Sequence, residues 1–203
     1  VQYLPYTRID AIEHDKKGWR LSLAKGEFRA PVLVNCAGAW AGRIAAALDE
    51  QVPLKPSAPM LMISERLPRF IDPVFGAASR KLSFKQMQNG TLLIGGAHMA
   101  ELDFEQQKTS INWAKLAVSA RTVLALFPQL ENVRIVRSWA GIEAFMPDNL
   151  PVISRSKYSD AFHAFGFSAH GFQLSPVVGK IISQLILDDH TEFDIKPFSI
   201  ERF

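Results

Sequence analysis

The residues with most chemical potential form a glycine-bearing segment near the end of the sequence, from Phe165 to Pro176 (FGFSAHGFQLSP). The pattern predicts a strand that ends near Gly166 and a helix that begins near Phe172, so the N–H groups of the loop and the first helical turn point in one direction. Helix N-termini carry about half a positive elementary charge and bind phosphates, carboxylates or an anionic ring. An ordinary glycine loop, capped by Ser175 and Pro176, explains these residues equally well.

The same segment does not fit other familiar catalytic motifs. Gly166 and Gly171 have the spacing of a phosphate loop, but Phe172 and Gln173 stand where that loop needs Lys and Ser or Thr. A nucleophile elbow would need a second glycine after Ser168. The histidines and the single cysteine lack the spacing of metal ligands, so no metal site is expected.

Composition excludes several classes of protein. The chain has 203 residues, 48% of them hydrophobic, and a domain of this size buries about 70% of its unfolded surface. The net charge is +3 without long runs of one sign, which does not indicate nucleic-acid binding. Cys36 has no partner for a disulfide and no leader peptide is recognisable, so a cytoplasmic location is expected. No apolar run reaches the ~18 residues of a membrane span.

The strands and the helix predicted for the first part of the chain have to position the glycine-bearing segment. Strands are predicted at Arg8 to His14, Trp19 to Ala24 and Phe28 to Asn35, and a helix from Ala39 to Leu48. Prolines at 53, 56 and 59 indicate a crossing into a second domain.

The second domain is predicted to be an antiparallel sheet with one helix. Its strands are expected at Met60 to Ser64, Leu82 to Gln88 and Thr91 to Gly95, with Asn89-Gly90 as a hairpin turn. The helix is expected from an N-cap at Thr109 to Phe127, with Trp113, Leu116, Ala117, Ala120 and Leu124 on its apolar face.

A strand-like segment from Val133 to Phe145 is predicted to return the chain to the first domain. A turn at Met146 to Asn149, a strand from Ala161 to Phe167 and a final helix are expected to follow. The core face of that helix is expected to be Val178, Ile181, Ile182, Leu185 and Ile186, with Gly179 packed closely against the sheet.

Several short motifs, taken together, resemble those of a known family. They are, in order, Val34 to Ala41 (VNCAGAWA), Leu93 to Gly96, Trp139 to Gly141, Pro147-Asp148, Gly166 to Phe172, Pro197-Phe198 and Arg202-Phe203. Their order and separation resemble the D-amino acid oxidase family of FAD-dependent amine oxidoreductases over the whole chain. Within it, the sequence is most similar to the group of sarcosine oxidase beta, opine oxidase and D-hydroxyproline dehydrogenase subunits.

This resemblance implies a mixed α+β and α/β fold, the C-terminal part of a GR2-type FAD-binding domain interleaved with an antiparallel-sheet substrate domain. Residues 1–52 and 141–203 would belong to the FAD-binding domain and 53–140 to the substrate domain. The family's G-x-G-x-x-G loop is absent from the sequence. We therefore expect the chain to be roughly the C-terminal half of such an enzyme.

The resemblance also assigns roles to residues. Those expected to contact FAD are Ile9, Ala37, Gly38, Trp40, Gly141, Asp148 and the run Gly166, Phe167, Ser168, Ala169, His170, Gly171 and Phe172. His170 and Gln173 would face the substrate, although His170 is equally well interpreted as a hydrogen-bonded loop residue. Asp148 is expected to hold its turn.

Departures from the family pattern refine these expectations. Gly141 stands where some relatives attach FAD through cysteine, so FAD is expected to bind noncovalently and Cys36 to be a small buried residue. Glu143 and Gln173 replace an arginine and a lysine that serve amino-acid substrates in relatives. Glu143 would then attract a second cationic or amine group, as in an opine or another N-substituted amino acid.

The resemblance thus implies an FAD-dependent oxidation of an amine or amino acid to an imine, with oxygen or a partner subunit as electron acceptor. A truncated, non-catalytic domain that serves as a subunit or interaction module is the alternative. An enzyme that uses NAD alone has little support, because no nicotinamide fingerprint is present.

Overall fold

The computed structural model describes all residues, 1–203, and contains three α-helices. They are α1 (Ala41–Ala47), α2 (Trp113–Leu126) and α3 (Gly171–Leu187). The strands are β1 (Ile9–Asp15), β2 (Gly18–Leu23), β3 (Gly26–Ala30), β4 (Leu33–Asn35), β5 (Lys55–Ser57), β6 (Met60–Arg66), β7 (Phe75–Gly76), β8 (Ser83–Gln86), β9 (Thr91–Gly95), β10 (Glu101–Asp103), β11 (Lys108–Ser110), β12 (Ile135–Ala140), β13 (Glu143–Phe145), β14 (Val152–Arg155) and β15 (Ala161–Phe165). Short 3-10 helices occupy Gly38–Trp40, Pro128–Leu130, Lys196–Phe198 and Ile200–Arg202. None of the α-helices has the length and apolar character needed to cross a membrane.

The chain forms two compact units. The first contains Val1–Lys55 and Ala144–Phe203, and the second contains residues 56–143. The crossings lie a few residues after the boundaries predicted at 52/53 and 140/141. Gly141 and Glu143 were expected in the returning segment 141–203, and instead belong to the second unit.

An antiparallel meander, β1-β2-β3, opens the first unit. Trp19 on β2 is buried with Leu33, Leu48 and Ala161, and its indole N–H donates to the carbonyl of Asp160 at 3.3 Å. The single strand predicted from Phe28 to Asn35 is wrong, because the structure has two strands there, β3 and β4. Pro31 lies between them and has no N–H to donate to a ladder.

The sheet that carries the site has the order β14-β15-β4. β15 pairs antiparallel with β14 and parallel with β4, with Phe162 opposite Val34 and His163 opposite Asn35. α3 covers this sheet through Val178, Ile181, Ile182 and Leu185, which pack with Ile153 and Phe162. The prediction of Ile186 in this core is wrong, because its side chain is exposed.

The second unit contains a five-stranded antiparallel sheet in the order β12-β6-β9-β8-β7. The predicted hairpin is confirmed, with Gly90 in the left-handed region at φ 91° and the Met87 N–H donating to the Thr91 carbonyl at 2.8 Å. α2 covers one face, as predicted, because Leu116 and Val123 share a core with the sheet residues Met60, Met62, Phe84, Leu92 and Ile94.

Three details of the second unit differ from prediction. Thr109 belongs to β11, and the N-cap of α2 is Asn112, whose Oδ1 accepts the Lys115 N–H at 3.0 Å. Trp113 and Leu124 are exposed, while Ser119 and Thr122 are buried beside Leu116 and Val123. The single strand from Val133 to Phe145, predicted to return the chain to the first domain, is wrong. The segment forms β12, which belongs to the five-stranded sheet of the second unit, and β13, with Gly141 between them.

We expect Phe84→Ala to destabilise the protein by about 3 to 5 kcal/mol, because it empties the centre of the second unit. Phe84 is completely buried and its ring stacks on Phe127 with centroids 5.1 Å apart. Urea unfolding measures the change. Phe172→Ala is a matched control at an exposed position and should change stability by less than about 0.5 kcal/mol. Equal effects of the two variants would contradict the packing described.

Candidate functional site

The parallel pairing of β4 with β15 determines where the candidate site lies. Two parallel strands end at the same edge of a sheet, so the segments that follow them leave from one place. The turn after β4 contains Ala37, Gly38 and Trp40, and the loop after β15 runs from Gly166 to His170. The structure therefore brings these two groups of predicted FAD-contacting residues to one edge of the first unit.

The side chain of Asn35 shapes the turn after β4. Its Oδ1 accepts the Ala37 N–H at 3.3 Å, and its Nδ2 donates to the Ala41 carbonyl at 3.0 Å. Within the turn, the Trp40 N–H donates to the Ala37 carbonyl at 3.0 Å. Cys36 is exposed here, so the prediction of a buried cysteine is wrong. Neighbouring atoms still shield its thiol partly from water, and this desolvation raises the pKa of the thiol, which stays protonated at neutral pH.

The loop after β15 has an unusual backbone. Gly166, Ser168 and Ala169 all lie in the left-handed region, at φ 75°, 48° and 72°. Each such non-glycine residue costs about 1 to 3 kcal/mol, and this strain is typical of functional sites. At Gly166, a Cβ atom would lie only 2.6 Å from Cγ of the buried Met146.

Internal hydrogen bonds hold this loop in place. The buried Ser168 donates its N–H to the Ala144 carbonyl at 3.0 Å, and its Oγ accepts the Met146 N–H at 3.2 Å. The same hydroxyl donates to the Gly166 carbonyl at 3.3 Å. The side chain of Ser168 is thus used inside the loop, and the loop can offer a ligand its backbone.

The N-terminus of α3 follows directly and carries no side-chain cap. No side chain accepts a hydrogen bond from its first turn, and that turn contains no acidic residue. Phe172 in this turn is 95% exposed. α2 differs, since Asn112 caps it. The first N–H groups of α3 and the positive end of its dipole therefore remain available to an anionic or electronegative group.

His170 and Gln173 are both exposed beside this N-terminus. The Nδ1 of His170 lies 2.8 Å from the carbonyl of Ser168, so Nδ1 carries the proton and donates it. The ring is thereby anchored to the loop while the rest of it faces outward. The sequence was compatible with either a hydrogen-bonded loop residue or an accessible ring at position 170. His170 has both the loop hydrogen bond and an accessible ring.

Asp148 anchors the turn that precedes β14. Its Oδ2 accepts from Nε of Arg202 at 2.8 Å, and its Oδ1 accepts the Leu150 N–H at 3.0 Å. The Arg202 guanidinium, with the Leu150 N–H, holds the pKa of Asp148 below its usual range. Because a lowered pKa in the folded state stabilises the fold above the unfolded pKa, this support is lost only as the pH falls through the folded value.

The other predicted residues are more scattered. Ile9 begins β1 and is exposed. Gly141 is exposed in the second unit, where its N–H donates to the Pro59 carbonyl at 3.2 Å and a Cβ atom would meet nothing within 4 Å. Glu143 is half-buried in the same unit. Gly179 was predicted to pack closely against the sheet, which is wrong, because it is exposed and a Cβ atom there has no neighbour within 4 Å.

Two cavities of the first unit flank α3. One, of about 450 Å³, is lined by Val34, Cys36, Phe167, Gly171 and Val178 among others, and lies at the edge strand β4. The other, of about 460 Å³, is lined by residues that include His170, Gln173, Phe193 and Phe198. Both linings are mainly apolar, and the second also contains the polar side chains of His170 and Gln173.

Comparison with known proteins identifies the family. Residues 1–185 match the family described as DAO, FAD dependent oxidoreductase. The chain belongs to this family. The predicted family is therefore confirmed, with its oxidoreductase class.

Individual relatives of this DAO family member are distant and longer. Hydrogen cyanide synthase subunit HcnC of Pseudomonas aeruginosa is 26% identical over 209 residues, which cover 100% of this chain and 48% of the relative. Glycine oxidase of Geobacillus kaustophilus is 28% identical over 199 residues, which cover 97% of this chain and 51% of the relative. The chain thus spans about half the length of the curated relatives it matches.

A solved structure confirms the predicted fold class. The crystal structure of L-proline dehydrogenase from P. horikoshii matches with a TM-score of 0.90 at 25% identity, over 98% of this chain and 54% of that structure. The mixed helix and sheet architecture of this chain is accordingly that of the C-terminal part of the DAO fold.

We expect Gly166→Ala to destabilise the first unit. A left-handed alanine costs about 1 to 2 kcal/mol, and the contact with Met146 adds about 1 to 3 kcal/mol of overpacking. Gly179→Ala makes the same substitution inside α3, where a Cβ atom has room, and should stabilise by about 0.5 to 1 kcal/mol. Thermal and urea unfolding of the two variants measure this difference. A Gly166→Ala protein as stable as the parent would contradict the loop geometry.

Proposed function

We propose that this chain forms the flavin-contacting half of an FAD-dependent enzyme that oxidises the C–N bond of an amino acid or N-substituted amino acid to an imine. The observation that carries the proposal is the uncapped N-terminus of α3 behind the strained loop Gly166–His170. Membership of a family of FAD-dependent oxidoreductases supplies the cofactor class. The names of two matched proteins, glycine oxidase and L-proline dehydrogenase, support an amino-acid substrate.

The residues present fit the electronegative edge of a flavin. When bound, FAD would supply the acceptor for a hydride equivalent removed from the carbon beside the amine nitrogen. The unsatisfied N–H groups at Gly171 and Phe172 would donate to the ring edge where negative charge develops. Because these donors are fixed before the reaction, they stabilise that charge without reorganisation.

The turn after β4 would contact another part of the cofactor. Ala37, Gly38 and Trp40 lie at the same sheet edge as the loop after β15, and Ile9 offers an exposed apolar surface on β1. We propose noncovalent binding, because Gly141 offers no nucleophile and the thiol of Cys36, with its raised pKa, is protonated at neutral pH. Asp148 would act at a distance by holding its turn through Arg202.

We propose that His170 and Gln173, which are exposed next to the N-terminus of α3, face the substrate. For Glu143, in the second unit, we propose that its carboxylate favours a substrate with a second amine or cationic group. Glu143→Gln should then lower kcat/KM for such a substrate and leave a singly charged amino acid unaffected. Equal activity of Glu143→Gln and the parent on both substrates would count against this role.

A non-catalytic subunit remains the second candidate function. One matched relative is named as a subunit of hydrogen cyanide synthase, and the chain spans about half of that relative. In that case a partner chain would carry the reaction.

A visible absorbance spectrum of the purified protein, with and without added FAD, tests the proposal and separates the two candidates. An enzyme of the proposed class shows the two bands of bound oxidised flavin, and these bands bleach when the right amine is added without oxygen. Opines, sarcosine and D-hydroxyproline are suitable amines. Bound flavin that no amine bleaches, or a stable protein that ignores FAD, would favour the non-catalytic subunit.

Two substitutions of the exposed Phe172 test the role of the helix N-terminus. Phe172→Asp adds a negative charge to the first turn of α3. Phe172→Asn is the control, because the asparagine side chain is neutral and nearly the same size as that of aspartate. The aspartate should stabilise the helix by about 0.3 to 1 kcal/mol, yet repel the reduced flavin. We therefore expect a lower flavin reduction potential in Phe172→Asp than in Phe172→Asn, measured by anaerobic titration. Equal potentials would mean that the helix end does not act on the flavin.

A further inference from the structure

A buried chain of polar side chains runs beneath the turn that follows β4. His163 on β15 is completely buried and Asn35 on β4 is 1% exposed. The Nε2 of His163 lies 2.9 Å from Oε2 of Glu50, and its Nδ1 lies 3.2 Å from Nδ2 of Asn35. Neither Glu50 nor His163 belongs to the set of residues predicted from the sequence.

The hydrogen bonds of Asn35 fix the orientation of its amide. The Ala37 N–H needs an acceptor, which is Oδ1, and the Ala41 carbonyl needs a donor, which is Nδ2. If the Asn35 amide were turned by 180°, its Nδ2 would face the Ala37 N–H and its Oδ1 would face the Ala41 carbonyl, so both hydrogen bonds would be lost. It is therefore the amide nitrogen that faces His163, and the Nδ1 of His163 has to accept.

Glu50 imposes the matching condition on the other side of the ring. Its carboxylate accepts the Ser156 hydroxyl at 2.7 Å and the Lys157 N–H at 2.9 Å, in addition to His163. Burial raises the pKa of Glu50, but these three hydrogen bonds together outweigh it and hold the pKa below its usual value. An ionised Glu50 only accepts, so the Nε2 of His163 carries the proton and donates it.

We propose that His163, held as the neutral Nε2–H tautomer between Glu50 and Asn35, is a positioning residue for the turn that contains Ala37, Gly38 and Trp40. It acts through Asn35, whose amide spans the turn from Ala37 to Ala41. The effect on cofactor binding rests on the proposed function, in which this turn contacts FAD. The effect on the turn itself does not.

The turn therefore depends on an unprotonated acceptor at Nδ1 of His163, 3.2 Å from Nδ2 of Asn35. A proton on Nδ1 would oppose the Nδ2 hydrogens of Asn35, and that amide cannot rotate without losing both of its backbone partners. Glu50 is the ionised side chain in contact with His163, while the exposed pair of Lys157 and Asp49 lies beyond it. The ring of Phe165 and the amide of Asn35 bring no charge. Loss of the acceptor at Nδ1 should therefore loosen the turn and weaken FAD binding.

Two variants separate the two hydrogen bonds of the ring. In His163→Asn, the side-chain amide reaches the position of Nδ1 and can accept from Asn35, but it does not reach Glu50. In His163→Gln, the amide reaches the position of Nε2 and can donate to Glu50, but it leaves Asn35 without an acceptor. Positioning through Asn35 predicts that only His163→Gln loosens the turn.

The first measurement is the FAD dissociation constant of the protein and of both variants at one slightly alkaline pH, about pH 8. We expect His163→Gln to bind FAD about tenfold more weakly at pH 8, since losing a buried hydrogen-bond partner has this order of effect. His163→Asn should bind FAD as tightly as the parent. Equal weakening in both variants would overturn the proposal.

Hydrogen exchange of the amides from Cys36 to Ala41 is the second measurement, made without FAD. Faster exchange in His163→Gln than in His163→Asn would support the positioning role even if the protein bound no FAD, a result that would refute only the proposed function. Equal exchange would refute the positioning role. Should a variant fail to fold, ¹⁵N NMR of the parent decides, because a proton on Nδ1 of His163 would contradict the tautomer.

Discussion

The parallel pairing of β4 with β15 is the contact on which the candidate site depends. Leu33, Val34 and Asn35 align with Ala161, Phe162 and His163, although the two strands lie far apart in the sequence. A parallel register sends both following segments out of the same sheet edge. A turn with a fixed amide network and a strained loop thereby meet in one unit, and α3 begins at the end of that loop. Without this pairing, no local feature of either segment would make a site.

The rest of the first unit is arranged to keep that edge rigid. The hydrogen bond from the Met146 N–H to Oγ of Ser168 holds the loop that contains the left-handed residues. The ion pair of Asp148 with Arg202 holds the turn that precedes β14. α3 packs on the sheet through a continuous apolar face and leaves its N-terminus uncapped. Left-handed backbone and unsatisfied N–H donors therefore occur next to each other at the place where a flavin would gain from fixed donors. This combination is what electrostatic preorganisation requires.

The local chemistry of the sequence predicted much of this architecture. Asn89-Gly90 can form a tight hairpin turn with little strain, and the apolar spacing from Val178 to Leu185 suits only a helix. The loop from Gly166 to Gly171 was identified as the point of interest because glycines and a helix start occur together there. The resemblance of the motifs to those of the family indicated FAD as the cofactor, which the spacing and composition of the sequence alone do not predict.

The missed features all depend on pairing or packing between elements. β14 has only four residues, too short for a periodic signal, and it is a strand because β15 pairs with it. Thr109 looks like a helix cap, but pairing with β10 draws it into β11 and leaves Asn112 as the cap. The buried face of α2 includes Ser119 and Thr122 and leaves out Trp113, since the sheet beneath selects small side chains. Glu50 and His163 come together only once the strands have paired.

The most direct test of the central claim is hydrogen exchange of the protein with and without bound FAD, resolved along the chain. We expect FAD to slow exchange at the amides from Ala169 to Gln173, because α3 begins there without a side-chain cap. Exchange at the start of α2 should not change, because Asn112 already caps that helix. FAD that binds without protecting the start of α3 would contradict the claim that this helix end receives the cofactor.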